Sequence, residues 1–128
     1  MKVLVADDHE AVRKGLRRIL EARGDIEICV EASNGEEAVC KVQEEKPDLV
    51  ILDLSMPTLT GFEAARKIRE LSPQTPILFF SMHETPELIA KAEQIGALGF
   101  VRKTDPAATV LKAVDFALRR ITCFPSDK

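Results

Sequence analysis

Residues 50–61 read VILDLSMPTLTG, and together with Leu49 they pose the question on which the fold turns. A run of aliphatic residues, Leu49 to Leu52, leads straight into a single carboxylate, Asp53, and then into Met56-Pro57 and Gly61. A run this short and this apolar reads as a strand covered on both faces, with Asp53 delivered at its carboxyl end. Comparable runs recur along the chain: VLVA at 3–6, IEICVEA at 26–32, ILFF at 77–80 and LGFV at 98–101. Amphipathic stretches separate them. Val12, Leu16, Ile19 and Leu20 recur at helical spacing, as do Leu88, Ala92 and Ile95, and then Ala107, Leu111, Val114 and Leu118. Gly24 and Gly96 mark helix ends, Pro47 stops another helix, and Asp105-Pro106 reads as an N-cap followed by a first-turn proline. Five strand–helix pairs in alternation predict a parallel sheet with crossover helices.

The strands also say where they lie. Those at 3–6, 49–52 and 77–80 are apolar on both faces, whereas 26–32 alternates Ile26, Ile28, Val30 and Ala32 against Glu27, Cys29 and Glu31. That alternation predicts an edge strand. The simplest arrangement is a doubly wound, flavodoxin-like (βα)5 α/β fold with strand order 2-1-3-4-5 and helices on both faces. Ligands of such sheets gather at the carboxyl ends of the strands, here between strands one and three.

Composition sets outer bounds. With 128 residues, 45% hydrophobic and 30% charged, the chain has the size of one domain with a sizeable core. A net charge of -3 gives no footprint for nucleic acid or anionic membrane. No apolar run approaches a membrane span and the opening MKVLVADD is not a signal peptide, so a cytoplasmic location is expected. Cys29, Cys40 and Cys123 lack metal spacing and are expected as reduced thiols.

At the strands' carboxyl ends stand Asp7 and Asp8, Asp53, Ser81, and Lys103 with Phe100 close before it. Two carboxylates ~4 Å apart at an effective dielectric of 20 repel by about 4 kcal/mol, so three in one place call for a cation or raised pKa values. An all-oxygen site suits Mg²⁺, and Lys103 adds an ammonium of the kind that partners phosphoryl oxygens. Such a set can accept a phosphoryl group.

The stretches VLVADDHEAVRKGLRRIL (3–20), PDLVILDLSMPTLTGFEAARKIR (47–69), PILFFSMHE (76–84) and GALGFVRK (96–103) resemble the receiver domain of bacterial two-component response regulators over essentially the whole chain. DDHEAVRKGL and SMHE are most similar to the subfamily with LuxR- or NarL-type helix-turn-helix outputs. The resemblance implies that Asp53 is the phosphoacceptor, served by a sensor histidine kinase, a phosphotransfer protein or a small phosphodonor. It implies Mg²⁺ held directly by Asp8 and Asp53, through water by Asp7, and by the backbone carbonyl of Ser55. Ser81 would hydrogen-bond the phosphoryl group, Lys103 would pair with it, and Phe100 would be an aromatic switch moving inward with Ser81. Phe100 lacks the hydroxyl many relatives carry, so such a switch rests on ring packing, and a plain core phenylalanine is the competing reading.

Other expectations concern the periphery. Met82 is expected to slow loss of an aspartyl phosphate by limiting access. His9 and His83 are read as structural or solvent-facing, and Arg119-Arg120 as a solvated helix end. Residues 1–122 are expected to form the receiver and 123–128, around Phe124-Pro125, the start of a linker to a helix-turn-helix output, making the chain a fragment of a transcription regulator; a stand-alone regulator is the alternative. Phosphorylation is expected to change homodimerisation or output contact. Two other classes remain open. A phosphatase with an aspartyl nucleophile usually needs an acid two residues later, where this chain has Ser55, and a pseudo-receiver would bind partners without taking phosphate.

Overall fold

The computed structural model describes residues 1–125; the side chains of Glu27, Ile28 and Cys29 fall outside the described set, as do residues 126–128 of the expected linker. Five strands, β1 (Lys2–Ala6), β2 (Glu27–Ala32), β3 (Leu49–Asp53), β4 (Ile77–Ser81) and β5 (Gly99–Arg102), alternate with α1 (Glu10–Glu21), α2 (Gly35–Glu45), α3 (Gly61–Leu71), α4 (Pro86–Ile95) and α5 (Ala107–Leu118). All strand pairs are parallel and the order is β2-β1-β3-β4-β5, as the edge character of 26–32 predicts.

Strand pleating divides the core in two, because successive side chains leave opposite faces of the sheet. Leu4, Ala6, Val50, Leu52, Ile77, Phe79 and Phe100 pack on one face beneath Ala38, Val42, Ala65, Ile68 and Ala92 of α2, α3 and α4. Val3, Val5, Leu49, Ile51, Leu78, Phe80 and Val101 pack on the other beneath Leu16, Leu20, Val110, Val114 and Ala117 of α1 and α5. Every residue of β3 and β4 is buried. With no polar alternation to set their register, these strands depend on helices on both sides.

Three local expectations are corrected. Val3 pairs with Ile28 but Leu4 pairs with Val30, so one residue of β2 is skipped. This irregularity moves Val30 and Ala32 to the α2–α4 face while Ile26 packs with α1 and α5, and the single apolar face expected for 26–32 is split. In α5 the buried line is Val110, Ala113, Val114 and Ala117, and Ala107 is exposed. Asp105 does not cap α5: Pro106 holds that position, and the Asp105 carboxylate instead accepts the Arg102 backbone N–H at 3.0 Å and pairs with its guanidinium at 2.9 Å.

Candidate functional site

Pleat parity explains which strand-end side chains meet. Counting outward from the core, Asp7, Asp53 and Lys103 continue the rows that begin with Val5, Ile51 and Val101 on the α1–α5 side, whereas Ser81 continues the row of Phe79. Lys103 Nζ lies 2.7 Å from Asp7 Oδ2 and 3.3 Å from Asp53 Oδ1, bridging the ends of the two central strands. The Lys103 side chain is only 9% exposed, while Asp7 and Asp53 are 1% and 4% exposed. Lys103 Nζ also stands 6.0 Å from the centre of the Phe80 ring.

Local structure fixes each carboxylate. The Asp7 amide donates to Ala32 O at 3.0 Å, and the Arg13 guanidinium, itself paired with Glu31 at 2.9 Å, donates to Asp7 O at 2.6 Å. Asp53 Oδ1 accepts the Ser55 N–H at 3.3 Å, and Ser55 is otherwise exposed. Behind Asp53 the start of α3 comes so close that a Cβ on Gly61 would collide with Asp53 O and Leu54 Cα; the Gly61 amide donates to Leu54 O at 2.9 Å. A capping box between Thr60 and Glu63 holds that helix start in place. Ser81 is 5% exposed and its Oγ accepts the His83 N–H at 3.1 Å.

The charges act on one another. Burial, followed by the neighbouring Asp7 charge, raises the Asp53 pKa above the usual aspartate value, with Lys103 opposing. For Lys103, burial pulls the pKa down, but the Asp7 hydrogen bond and the two carboxylate charges outweigh it and the net movement is upward. The site therefore favours an ammonium between two carboxylates.

Sequence reasoning set His9 aside, yet its Nδ1 lies 3.2 Å from Asp7 Oδ1 and 3.1 Å from Asp8 Oδ1. One donor atom from each of Asp7, Asp8 and His9 falls within 4.8 Å of the others, a group able to hold a metal ion. Asp53 is outside that group and is joined to Asp7 through Lys103. The signal for His9 was its place directly after two acids at a strand end. Phe100 is 2% exposed, so its ring already lies inward in this structure. Met82 is 58% exposed at the rim. Thr58, in the loop after Asp53, has a left-handed backbone (φ 67°) that nothing in its residue type announces.

Five parallel strands in this order, with acids, a hydroxyl and a lysine at their carboxyl ends, define a doubly wound α/β domain with a charged site at the strand ends. Residues 3–115 match the family model described as the response regulator receiver domain, and the chain belongs to that family. It is 43% identical over 115 residues to the transcriptional activator protein ExaE of Pseudomonas putida, covering 89% of this chain and 53% of that one. It is 42% identical over 115 residues to the oxygen regulatory protein NreC of Staphylococcus haemolyticus, again covering 89% of this chain and 53% of the relative. The chain thus spans about half the length of the curated relatives it matches. Among solved structures, a LuxR-family two-component response regulator from Aurantimonas superposes with TM-score 0.91 at 35% identity, covering 94% of this chain and 86% of that one. The receiver domain of the putative response regulator NarL from Mycobacterium tuberculosis gives 0.87 at 32%, covering 92% and 95%. The chain is a receiver domain of the LuxR/NarL type, a signalling domain, and among the described residues no helix is long and apolar enough to cross a membrane.

Proposed function

We propose that the domain is a phosphorylation switch with Asp53 as acceptor, supplied by the phosphohistidine of a sensor kinase or phosphotransfer protein, or by a small acyl phosphate. The observation that carries this reading is the Lys103 bridge, 2.7 Å to Asp7 and 3.3 Å to Asp53. It places a buried ammonium where a phosphoryl oxygen on Asp53 would need one. Asp53 Oδ1 is held by Lys103 and the Ser55 amide, which leaves Oδ2 to attack phosphorus. A P–O bond to Asp53 forms as the P–N bond of the donor breaks, and the imidazole departs with that electron pair. Lys103 then turns from carboxylate to phosphoryl oxygen, and Ser81 Oγ donates its proton to another.

Mg²⁺ fits the donor set. Asp7 Oδ2 is buried with Lys103 Nζ at 2.7 Å and, among the described residues, has no further donor, leaving an anionic oxygen with spare capacity. Asp8 beside it is exposed, and Asp7, Asp8, Asp53 and the Ser55 carbonyl would be the protein's oxygens for the ion. When bound, Mg²⁺ supplies charge neutralisation for the incoming phosphoryl oxygens. A cavity of about 190 Å³ lined by Val12, Gly15, Leu16, Ile19, Phe80 and Lys103 opens beside the site and has room for one apolar side chain of a phosphodonor protein.

The domain promotes only its own phosphorylation and dephosphorylation. Located in the cytoplasm and joined to a helix-turn-helix output, it would control transcription through changed self-association or output contact. Intact mass after acetyl phosphate tests the core of this reading. One added phosphoryl group that needs Mg²⁺ and vanishes in Asp53→Asn is expected; an unmodified parent, or a variant that is still modified, would overturn it.

A further inference from the structure

Residues 119–125, which follow α5, turn back onto the domain. Arg120 adopts a left-handed backbone (φ 61°) and turns the chain back, and the Ile121 amide donates to Phe116 O at 2.8 Å. Cys123 then forms a one-residue parallel bridge with Gly99 on the outer edge of β5. Its amide donates to Leu98 O at 2.7 Å, and its carbonyl accepts the Phe100 N–H at 3.4 Å. Because the bridge is parallel, Phe124 and Pro125 head toward the end of the sheet that carries Asp53.

The β5 edge is shaped for this contact. A Cβ on Gly99 would lie 2.9 Å from Cys123 O and 2.6 Å from Leu78 Cδ1, so a side chain there would push the segment away. Cys123 packs against the α1–α5 half of the core, while Phe124 crosses the edge and packs against the α2–α4 half, the one that holds Phe100. An open parallel edge normally presents unpaired backbone groups. Here the chain's own Cys123 pairs with it, taking up the Leu98 carbonyl and the Phe100 amide.

We infer that the β5 edge is a docking site for this chain's own segment 121–125, and that its occupancy follows the state of the Asp53 centre. The coupling rests on the proposed phosphoacceptor reading. β5 has four residues, and its inner edge is tied to β4, where the Lys103 amide donates to Ser81 O at 2.7 Å. Ser81 and Lys103 are the two side chains that would turn toward a phosphoryl group, so their movement tilts the short strand between them and the tail. The donor of the longer tail bond is the amide of Phe100 itself. With the Phe100 ring already buried, the part of this face free to change is the strap over it. Release of Phe124 would bare an apolar seat and the Leu98 and Phe100 backbone groups to a partner segment.

Two of the three native cysteines make the test direct. Cys123 is half-buried within the strap and Cys40 is exposed on α2. Alkylation of the full chain, read peptide by peptide, is compared with and without acetyl phosphate and Mg²⁺, with intact mass taken on the same samples. Phosphorylation is expected to speed Cys123 labelling by roughly fivefold while Cys40 stays constant, as for local opening without global unfolding. Phe124→Ala and Gly99→Ala should label quickly without phosphate. A phosphorylated protein whose Cys123 rate is unchanged overturns the coupling and leaves the phosphoacceptor reading intact. A protein that takes no phosphate overturns both. Variants in which Cys123 stays as slow as in the parent overturn the docking site itself.

Discussion

Replacing Lys103 with methionine keeps the aliphatic stem of the side chain and removes only the ammonium. Two carboxylates, 1% and 4% exposed, then face each other with no positive partner at 2.7 and 3.3 Å. Removing one member of a buried charge cluster typically costs about 3 to 5 kcal/mol, because the remaining charge keeps its desolvation penalty. The upper end is limited by proton uptake: burial and the Asp7 charge already raise the Asp53 pKa, and loss of the opposing Lys103 charge raises it further. A loss of about 3 kcal/mol at pH 7.5 is therefore expected, corresponding to a melting point lower by roughly 10 °C for a domain of this size. The chain has neither Trp nor Tyr, so far-ultraviolet circular dichroism in urea is the suitable assay. The double variant Lys103→Met/Asp53→Asn should recover most of the loss, since one of the two opposed charges is gone. A single-variant loss below about 1 kcal/mol would mean that the bridge behaves as a solvated surface pair, and the electrostatic reasoning would be refuted.

Other perturbations test separate parts of the structure. Asp53→Asn should be more stable than the parent at pH 7.5: the raised folded pKa means that the carboxylate's contribution is best below its unfolded value and is lost as pH rises through the folded one, so the advantage of asparagine should disappear near pH 3.5. Glu37→Gln tests the opposite sign. The Ser33 N–H, at 2.7 Å, is the main cause that lowers the Glu37 pKa, so its stabilisation holds above the unfolded value and fades as pH falls through the folded one. A cost of about 0.5 kcal/mol at pH 7, given its partial exposure, and none at pH 3 should appear in urea titrations. Gly61→Ala should cost at least about 2 kcal/mol, because the new methyl meets backbone rather than a movable side chain. A change within about 0.5 kcal/mol in the melting curve would show that the Asp53–α3 junction is looser than the structure has it.

Much of this was readable in the residues because the sheet's own geometry does the sorting. Polar alternation at 26–32 against unbroken apolar runs elsewhere placed β2 at the edge and, with the strands at 3–6, 49–52 and 77–80 central, made 2-1-3-4-5 the simplest order, which the sheet adopts. Pleat parity then brings Asp7, Asp53 and Lys103 to one side. What stayed hidden depends on contacts between segments with no local signature. The skipped residue in β2 arises from pairing with Val3 and Leu4, so Ile26 and Val30 face different halves of the core although their spacing suggests one. His9 looks like any polar residue at a strand end until its ring is found against two carboxylates. Asp105-Pro106 has the residue types of a helix start, but the Arg102 guanidinium competes for the carboxylate and wins it. The return of Cys123 and Phe124 to β5 is set by a left-handed arginine and by the absence of a side chain on Gly99, neither of which is a motif.

Chemical trapping addresses the central claim most directly. An acyl phosphate on an aspartate is reduced by borohydride to homoserine, so treatment after acetyl phosphate and Mg²⁺, followed by peptide sequencing, locates the acceptor carboxylate. Homoserine at position 53, and at neither 7 nor 8, is the expected result. Homoserine at one of those other positions, or none in a protein whose phosphodonor has been consumed, would contradict the assignment of Asp53 as the nucleophile.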